Sequence, residues 1–227
     1  VGLFDIMGPV MVGPSSSHTA GAVKIGYIAG KLLKERIVFA DIYLHGSFLA
    51  TGKGHGTDKA LIAGLLGMKP DDERIPSSLE LAAERGLKYK FSGIKLRNAH
   101  PNSVLMKLKG INGSRLEVEA ASIGGGMISI TGIDGVAVDI SASCPTLIVH
   151  NVDEPGLVSA VTTVLGQNQV NIGTMHIYRD KRGGNAVMTI ECDQEIPAEV
   201  VTDLHKIDGV CKVIYLSMEE ENEHQIP

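Results

Sequence analysis

Apolar and polar positions along the chain divide it into helical and extended stretches before any single residue is considered. From His18 to about Arg36, Ala22, Ile25, Ala29 and Leu32 fall on one face, and Lys24, Lys31 and Glu35 on another. That period predicts an amphipathic helix beginning at the serines, with Ser17 as its natural N-cap. From Ile37 to His45 apolar Val38, Ala40, Ile42 and Leu44 alternate with Phe39, Asp41 and Tyr43, the period of a strand with one buried face. A glycine-rich loop, Gly52 to Gly56, comes next, with Thr57 or Asp58 able to cap the helix after it. Helices are predicted over 57–66, ending at Gly67, and over 76–85, with Gly86 as the residue past the end.

Beyond Gly86 the pattern becomes extended, with strands predicted over 87–91, 104–109, 116–121, 127–131 and 136–140, and Asn112-Gly113 marking a hairpin turn. The first domain, residues 1–143, therefore reads as α+β, helices first and an antiparallel sheet after. From residue 144 the pattern is more regular: strand 146–150, helix 155–166, strand 170–179, a Gly183-Gly184 turn, strand 185–192, helix 197–207 and strand 210–216. This is β-α-β-β-α-β, the ferredoxin-like plan. The Glu219 to Glu223 run reads as a solvated acidic tail.

Composition narrows the function classes. A 44% hydrophobic and 21% charged chain with no apolar run long enough for a bilayer argues against membrane insertion, and the opening residues Val1 to Asp5 lack a basic leader, so a cytoplasmic location is expected. Net charge is −5 and the basic residues are scattered, which argues against nucleic acid. Cys144, Cys192 and Cys211 are odd in number and widely spaced, so neither a disulfide framework nor a metal site within this chain is expected.

The densest polar cluster is Ser15-Ser16-Ser17-His18-Thr19, where a helix begins. The first N–H groups of a helix lack intrahelical partners, and with hydroxyls and the positive dipole end they can seat a carboxylate or phosphate. A serine-rich loop with one useful cap is the plain alternative. A serine hydrolase would need a G-x-S-x-G elbow, which is missing. A second cluster, Gly52 to Lys59, places His55 between two glycines, and a third polar loop, His100-Pro101-Asn102-Ser103, could line the same pocket or be an ordinary turn.

The run from Gly8 to Gly21, with Gly54-His55-Gly56-Thr57-Asp58, His100-Pro101-Asn102 and Ser122-Ile123-Gly124-Gly125-Gly126, resembles the beta chain of bacterial iron-sulfur L-serine dehydratase, and does so over essentially the whole chain. The resemblance implies an amino-terminal domain like the allosteric substrate-binding domain of some phosphoglycerate dehydrogenases, and a carboxy-terminal ACT domain over residues 144–227. It implies conversion of L-serine to pyruvate and ammonia, with an open iron of a 4Fe-4S cluster acting as Lewis acid on the substrate hydroxyl. A protein base must take the Cα proton, and a histidine with an unperturbed pKa near ~6.5 can do so. The matching positions are His55 and His18. His55 is the stronger candidate for the base, and which ring abstracts and which orients stays open. Ser15, Ser16, Ser17, Thr19, Thr57 and Asn102 are the candidate substrate-binding residues.

The three distant cysteines are a poor match to a cluster site, so the cluster is expected on a separate alpha chain, with no metal ligand here. Asn151 to Gly156 and Asn171 to Thr174 resemble the ACT domain, which implies a homodimer and a small-ligand site at Asp153, Pro155, Gly156, Asn171 and Ile172. Dimerisation alone is the equal alternative for this module, and on family grounds a monovalent cation is a further candidate ligand. The competing reading of the whole chain is an amino-acid-sensing module without chemistry, like the regulatory end of phosphoglycerate dehydrogenase. A plain dimerisation protein would leave both polar corners unexplained.

Overall fold

Periodic stretches of the sequence become packed elements in the structure, a computed structural model that describes residues 10–217. The acidic Glu219 to Glu223 run and residues 1–9, including Gly8 and Pro9 of the first motif, lie outside the described residues. The chain divides into two compact units, 1–135 and 136–227. Among the described residues no helix is long and apolar enough to cross a membrane.

In the first unit the amphipathic pattern starts as a π-helical turn, Ser16–Gly21, and continues as helix α1 (Ala22–Leu33). Strand β1 (Ile37–Leu44), helices α2 (Gly46–His55) and α3 (Thr57–Leu65), and a 3-10 turn (Ile75–Ser77) leading into α4 (Ser78–Glu84) follow. Strands β2 (Lys88–Gly93), β3 (Ser103–Gly110), β4 (Arg115–Gly124) and β5 (Met127–Ile133) complete the unit, in the order β2-β1-β3-β4-β5. Register puts Ile42, Met106 and Val118 in one row and Leu44, Val104 and Ala120 in another, a continuous apolar face. The alternate residues make the opposite face, where Lys107 pairs with Glu117 at 2.8 Å.

The sheet is mixed rather than antiparallel, because β2 runs parallel to β1. Three helices lie between these strands, and a chain that crosses back through helices returns in its original direction. The expected loop from Gly52 to Gly56 is also not a loop: Gly52 to His55 form the last turn of α2, and only Gly56, at φ +68°, breaks it. Two helical glycines are tolerated because Phe48, one turn earlier, is fully buried, and Gly52 is itself buried against Thr57. Neither Thr57 nor Asp58 caps α3, whose preceding residue Gly56 has no side chain to do so.

Helices α1 and α3 cross at a pair of glycines. A Cβ on Gly64 would lie 2.1 Å from the Val23 carbonyl, and one on Gly26 would lie 2.3 Å from that of Leu61. Backbone therefore touches backbone at this crossing, which ties the first turns of α1 to the later part of α3.

The second unit contains β6 (Val136–Ile140), β7 (Thr146–Val152), α5 (Leu157–Gln167), β8 (Ile172–Arg179), β9 (Asn185–Cys192), α6 (Ala198–His205) and β10 (Val210–Leu216). From β7 onward this is the expected ferredoxin-like plan. Its sheet, ordered β10-β7-β9-β8, pairs antiparallel throughout. Leu147, Val149, Met188 and Ile190 pack with Val161 and Leu165 of α5 and Val200 and Leu204 of α6 in one core.

Candidate active site

Ser15, not Ser17, opens the first helical turn. Its backbone is extended, and its hydroxyl accepts from the His18 N–H at 3.1 Å, whereas Ser17 already lies inside the π-helical turn. The Ser15 carbonyl accepts from the N–H groups of Thr19 and Ala20, which fixes the turn. Ser16 and Ser17 carry the N–H groups at the helix entrance that have no earlier residue of the turn to bond. Short π-helical stretches are rare and often mark functional sites, and this one is buried at Thr19, Ala20 and Gly21. A Cβ on Gly21 would meet the Ser122 hydroxyl at 2.1 Å, so Ser122 floors the turn and only glycine fits above it.

This geometry turns His18 toward α2. Its ring packs edge-on against Phe48 at 5.3 Å and lies 4.9 Å from the His55 ring, centroid to centroid. His18 Nε2 is 3.0 Å from the Ser47 hydroxyl and 3.1 Å from that of Thr51. His55 is exposed at the end of α2, and its Nδ1 lies 3.1 Å from the Thr51 carbonyl. A carbonyl only accepts, so His55 Nδ1 is the donor in this contact, which in the neutral ring leaves the lone pair on Nε2. Burial and the neighbouring His55 hold the pKa of His18 below its ordinary value, against an opposing contribution from Ser47.

The two histidines thus come together, and Thr19 joins them: it is buried, and its hydroxyl donates to the His55 carbonyl at 3.3 Å. Thr57 is fully buried beneath α2, with no hydrogen-bond partner for its hydroxyl. Asn102 belongs to a buttress. The Pro101 carbonyl accepts from Ser47 N–H at 2.7 Å, Ser103 O accepts from His45 N–H, and Asn102 O accepts from Ser122 N–H, so this loop joins the entrance of α2 to β4. Ser47, Phe48 and Thr51 were missed by sequence reasoning, although Ser47, Thr51 and His55 recur every four residues, the spacing of one helical stripe.

In the second unit the candidate ligand residues separate into two groups. Asp153 sits just past β7, where its carboxylate accepts from Gly183 N–H at 2.9 Å and pairs with Arg179 at 3.1 Å. Those contacts hold its pKa below the usual carboxylate range. Pro155 and Gly156 continue that loop, both exposed. Asn171 and Ile172 lie at the opposite end of the sheet: Ile172 pairs with Cys192, while Val152 pairs with Asn185. Asn171 donates to Asp193 there. Within one chain the two groups do not converge.

The cysteines do not suit an iron-sulfur cluster. Cys192 is buried in the second unit's core and its thiol is pushed up to about 11, chiefly by burial, so the thiolate a metal needs is disfavoured. Cys144 is half-buried and Cys211 exposed. Among the described residues no group of three His, Cys, Asp or Glu side chains could hold a metal ion.

A family model described as "Serine dehydratase beta chain" matches residues 2–85, and one described as "ACT domain" matches residues 145–209. The chain is 41% identical over 194 residues to the L-serine dehydratase beta chain of Peptoniphilus asaccharolyticus, an alignment covering 85% of this chain and 87% of that one. It is 40% identical over 214 residues to a probable L-serine dehydratase beta chain of Bacillus subtilis, covering 93% and 96%. A D-3-phosphoglycerate dehydrogenase of B. subtilis is 26% identical over 198 residues, covering 85% of this chain but 36% of that protein. At the identity and coverage of the first two relatives, the chain belongs to the L-serine dehydratase beta-chain family and carries a carboxy-terminal ACT domain.

Proposed function

We propose that this chain is the beta subunit of an L-serine ammonia-lyase, seating L-serine at the π-helical turn and moving its Cα proton through the His55–His18 pair. The observation that carries the reading is the juxtaposition of two imidazoles 4.9 Å apart beside a helix entrance. An amino-acid sensor needs a carboxylate seat, but it has no use for paired imidazoles each oriented by a hydrogen bond at one ring nitrogen.

The substrate carboxylate is seated by the N–H groups of Ser16 and Ser17, assisted by their hydroxyls and the positive end of the helix dipole. Ser15 and Thr19 hold that seat together rather than contacting substrate, since Ser15 caps the turn and Thr19 is bonded to His55. The lone pair on His55 Nε2 takes the Cα proton, and His18 beside it stabilises or accepts the charge. Loss of the Cα proton and of hydroxide from Cβ gives the enamine of pyruvate. This tautomerises to the imine, and water releases pyruvate and ammonia.

The serine dehydratase family is iron-sulfur dependent, and the cysteines of this chain do not suit a cluster. On this reading an alpha chain, the partner that a beta chain implies, would carry the cluster and supply the Lewis acid that draws off the substrate hydroxyl. In the ACT domain, Asp153, Pro155 and Gly156 can share a ligand with Asn171 and Ile172 only if a second copy supplies the other group, which favours a homodimer.

The test is reconstitution. The chain alone should release no pyruvate from L-serine, and should do so once mixed anaerobically with the cluster-bearing partner. Activity that survives both His18→Ala and His55→Ala would remove the proton-transfer assignment.

A further inference from the structure

The stripe on α2 carries an assignment beyond the two histidines. Thr51 touches both rings with different atoms: its carbonyl is 3.1 Å from His55 Nδ1, and its hydroxyl is 3.1 Å from His18 Nε2. That hydroxyl also donates to the Ser47 carbonyl, one turn earlier, at 3.0 Å. A threonine hydroxyl has one proton. With it directed to a carbonyl, Thr51 Oγ1 presents only lone pairs to His18, and a hydrogen bond there requires that Nε2 be the donor. Ser47 Oγ, 3.0 Å from the same nitrogen, can accept alongside it.

We propose that Thr51 is the positioning residue that assigns the protons of both histidines, its carbonyl leaving His55 Nε2 as the free base and its hydroxyl holding His18 in the Nε2–H form. Basicity in the two rings then resides on different nitrogens, Nε2 of His55 and Nδ1 of His18. A neutral pair locked in this way presents one defined lone pair per ring, and proton transfer begins without prior tautomer exchange.

Back-bonding of a helical threonine to the carbonyl four residues earlier is common and by itself means little. Its significance here is that it fixes the hydroxyl's polarity where an imidazole nitrogen meets it. The carbonyl role is independent of side chain, so the two functions of Thr51 can be separated. Thr51→Val keeps the shape and the carbonyl but removes the hydroxyl, and Thr51→Ser restores it.

This inference rests on the proposed lyase function for its kinetic consequence but not for its structural one, and the experiment separates the two. Long-range proton–nitrogen NMR on the full chain at neutral pH should show His18 as Nε2–H and His55 as Nδ1–H. In Thr51→Val, His55 should be unchanged while His18 becomes a tautomer mixture, and Thr51→Ser should match the wild type. In the reconstituted enzyme, Thr51→Val should lower kcat about ten-fold with KM for L-serine changed less than two-fold, and Thr51→Ser should recover most of kcat. Wild-type His18 in the Nδ1–H form, or a Thr51→Val chain with unaltered His18 signals, would overturn the proposal. A wild-type complex that forms no pyruvate would instead sink the lyase reading and leave the NMR result standing.

Discussion

Gly64→Ala should damage the site without touching it. The added methyl would lie 2.1 Å from the Val23 carbonyl, 2.6 Å from Tyr27 N and 2.8 Å from the Gly26 Cα, all backbone atoms that no rotamer change can move. Restoring ordinary contact at ~3.5 Å requires α1 and α3 to part by roughly 1–1.5 Å. Overpacking of this kind costs about 1–3 kcal/mol, and the better helix propensity of alanine returns about 1 kcal/mol, for a net loss of up to ~2 kcal/mol. His18 lies roughly 12 Å upstream of Gly26 along α1, at ~1.5 Å per residue, and α3 begins roughly 10 Å before Gly64. Stiff helices carry the separation to the site, where a misplacement near 1 Å can lower the rate on the order of 100-fold. Gly30→Ala is the matched control. Its methyl would meet only Ile37 Cδ1 at 3.8 Å and the Leu65 carbonyl at 3.9 Å, so it should gain up to ~1 kcal/mol of stability and keep full activity. Urea unfolding of the chain and kcat of the reconstituted complex are the two measurements. A Gly64→Ala protein as stable and as active as Gly30→Ala would refute the backbone-contact argument.

Two further outcomes follow from the titration of buried groups. Because burial and His55 lower the pKa of His18, the unfolded chain binds that proton first; stability is therefore retained above about pH 6.5 and declines as pH falls through the lowered value. Unfolding free energies of His18→Gln should fall less steeply over the same interval, and parallel curves for variant and wild type would contradict this. With a thiol-specific reagent near pH 8, exposed Cys211 should react first, half-buried Cys144 more slowly, and Cys192 only on unfolding, since burial raises its thiol to about 11. Labelling of Cys192 in the native chain at the rate of Cys211 would show that its burial does not protect it.

Much of the fold was legible because most of its elements obey a single period. The alternation through Val38, Ala40, Ile42 and Leu44, and the ACT-domain sequence of strands and helices, were readable for that reason. The parallel pairing of β1 with β2 was not, because direction in a sheet depends on what lies between strands and not on their own side chains. Ser15 rather than Ser17 as the cap was equally hidden: three consecutive serines offer the same hydroxyl, and only the backbone turn selects among them. The glycines of α2 misled in a more instructive way. Two glycines at 52 and 54 disfavour helix by about 1 kcal/mol each, and local propensity reads a loop. Tertiary contacts override it, with Phe48 fully buried and packed against His18, and Gly52 against Thr57. The same misreading concealed the site, because a loop has no four-residue stripe. Once residues 46–55 are helical, Ser47, Thr51 and His55 fall on one line facing His18, and the glycine at 52 becomes a condition of that line, since it lets the last turn of α2 settle onto α3 and bring His55 to His18.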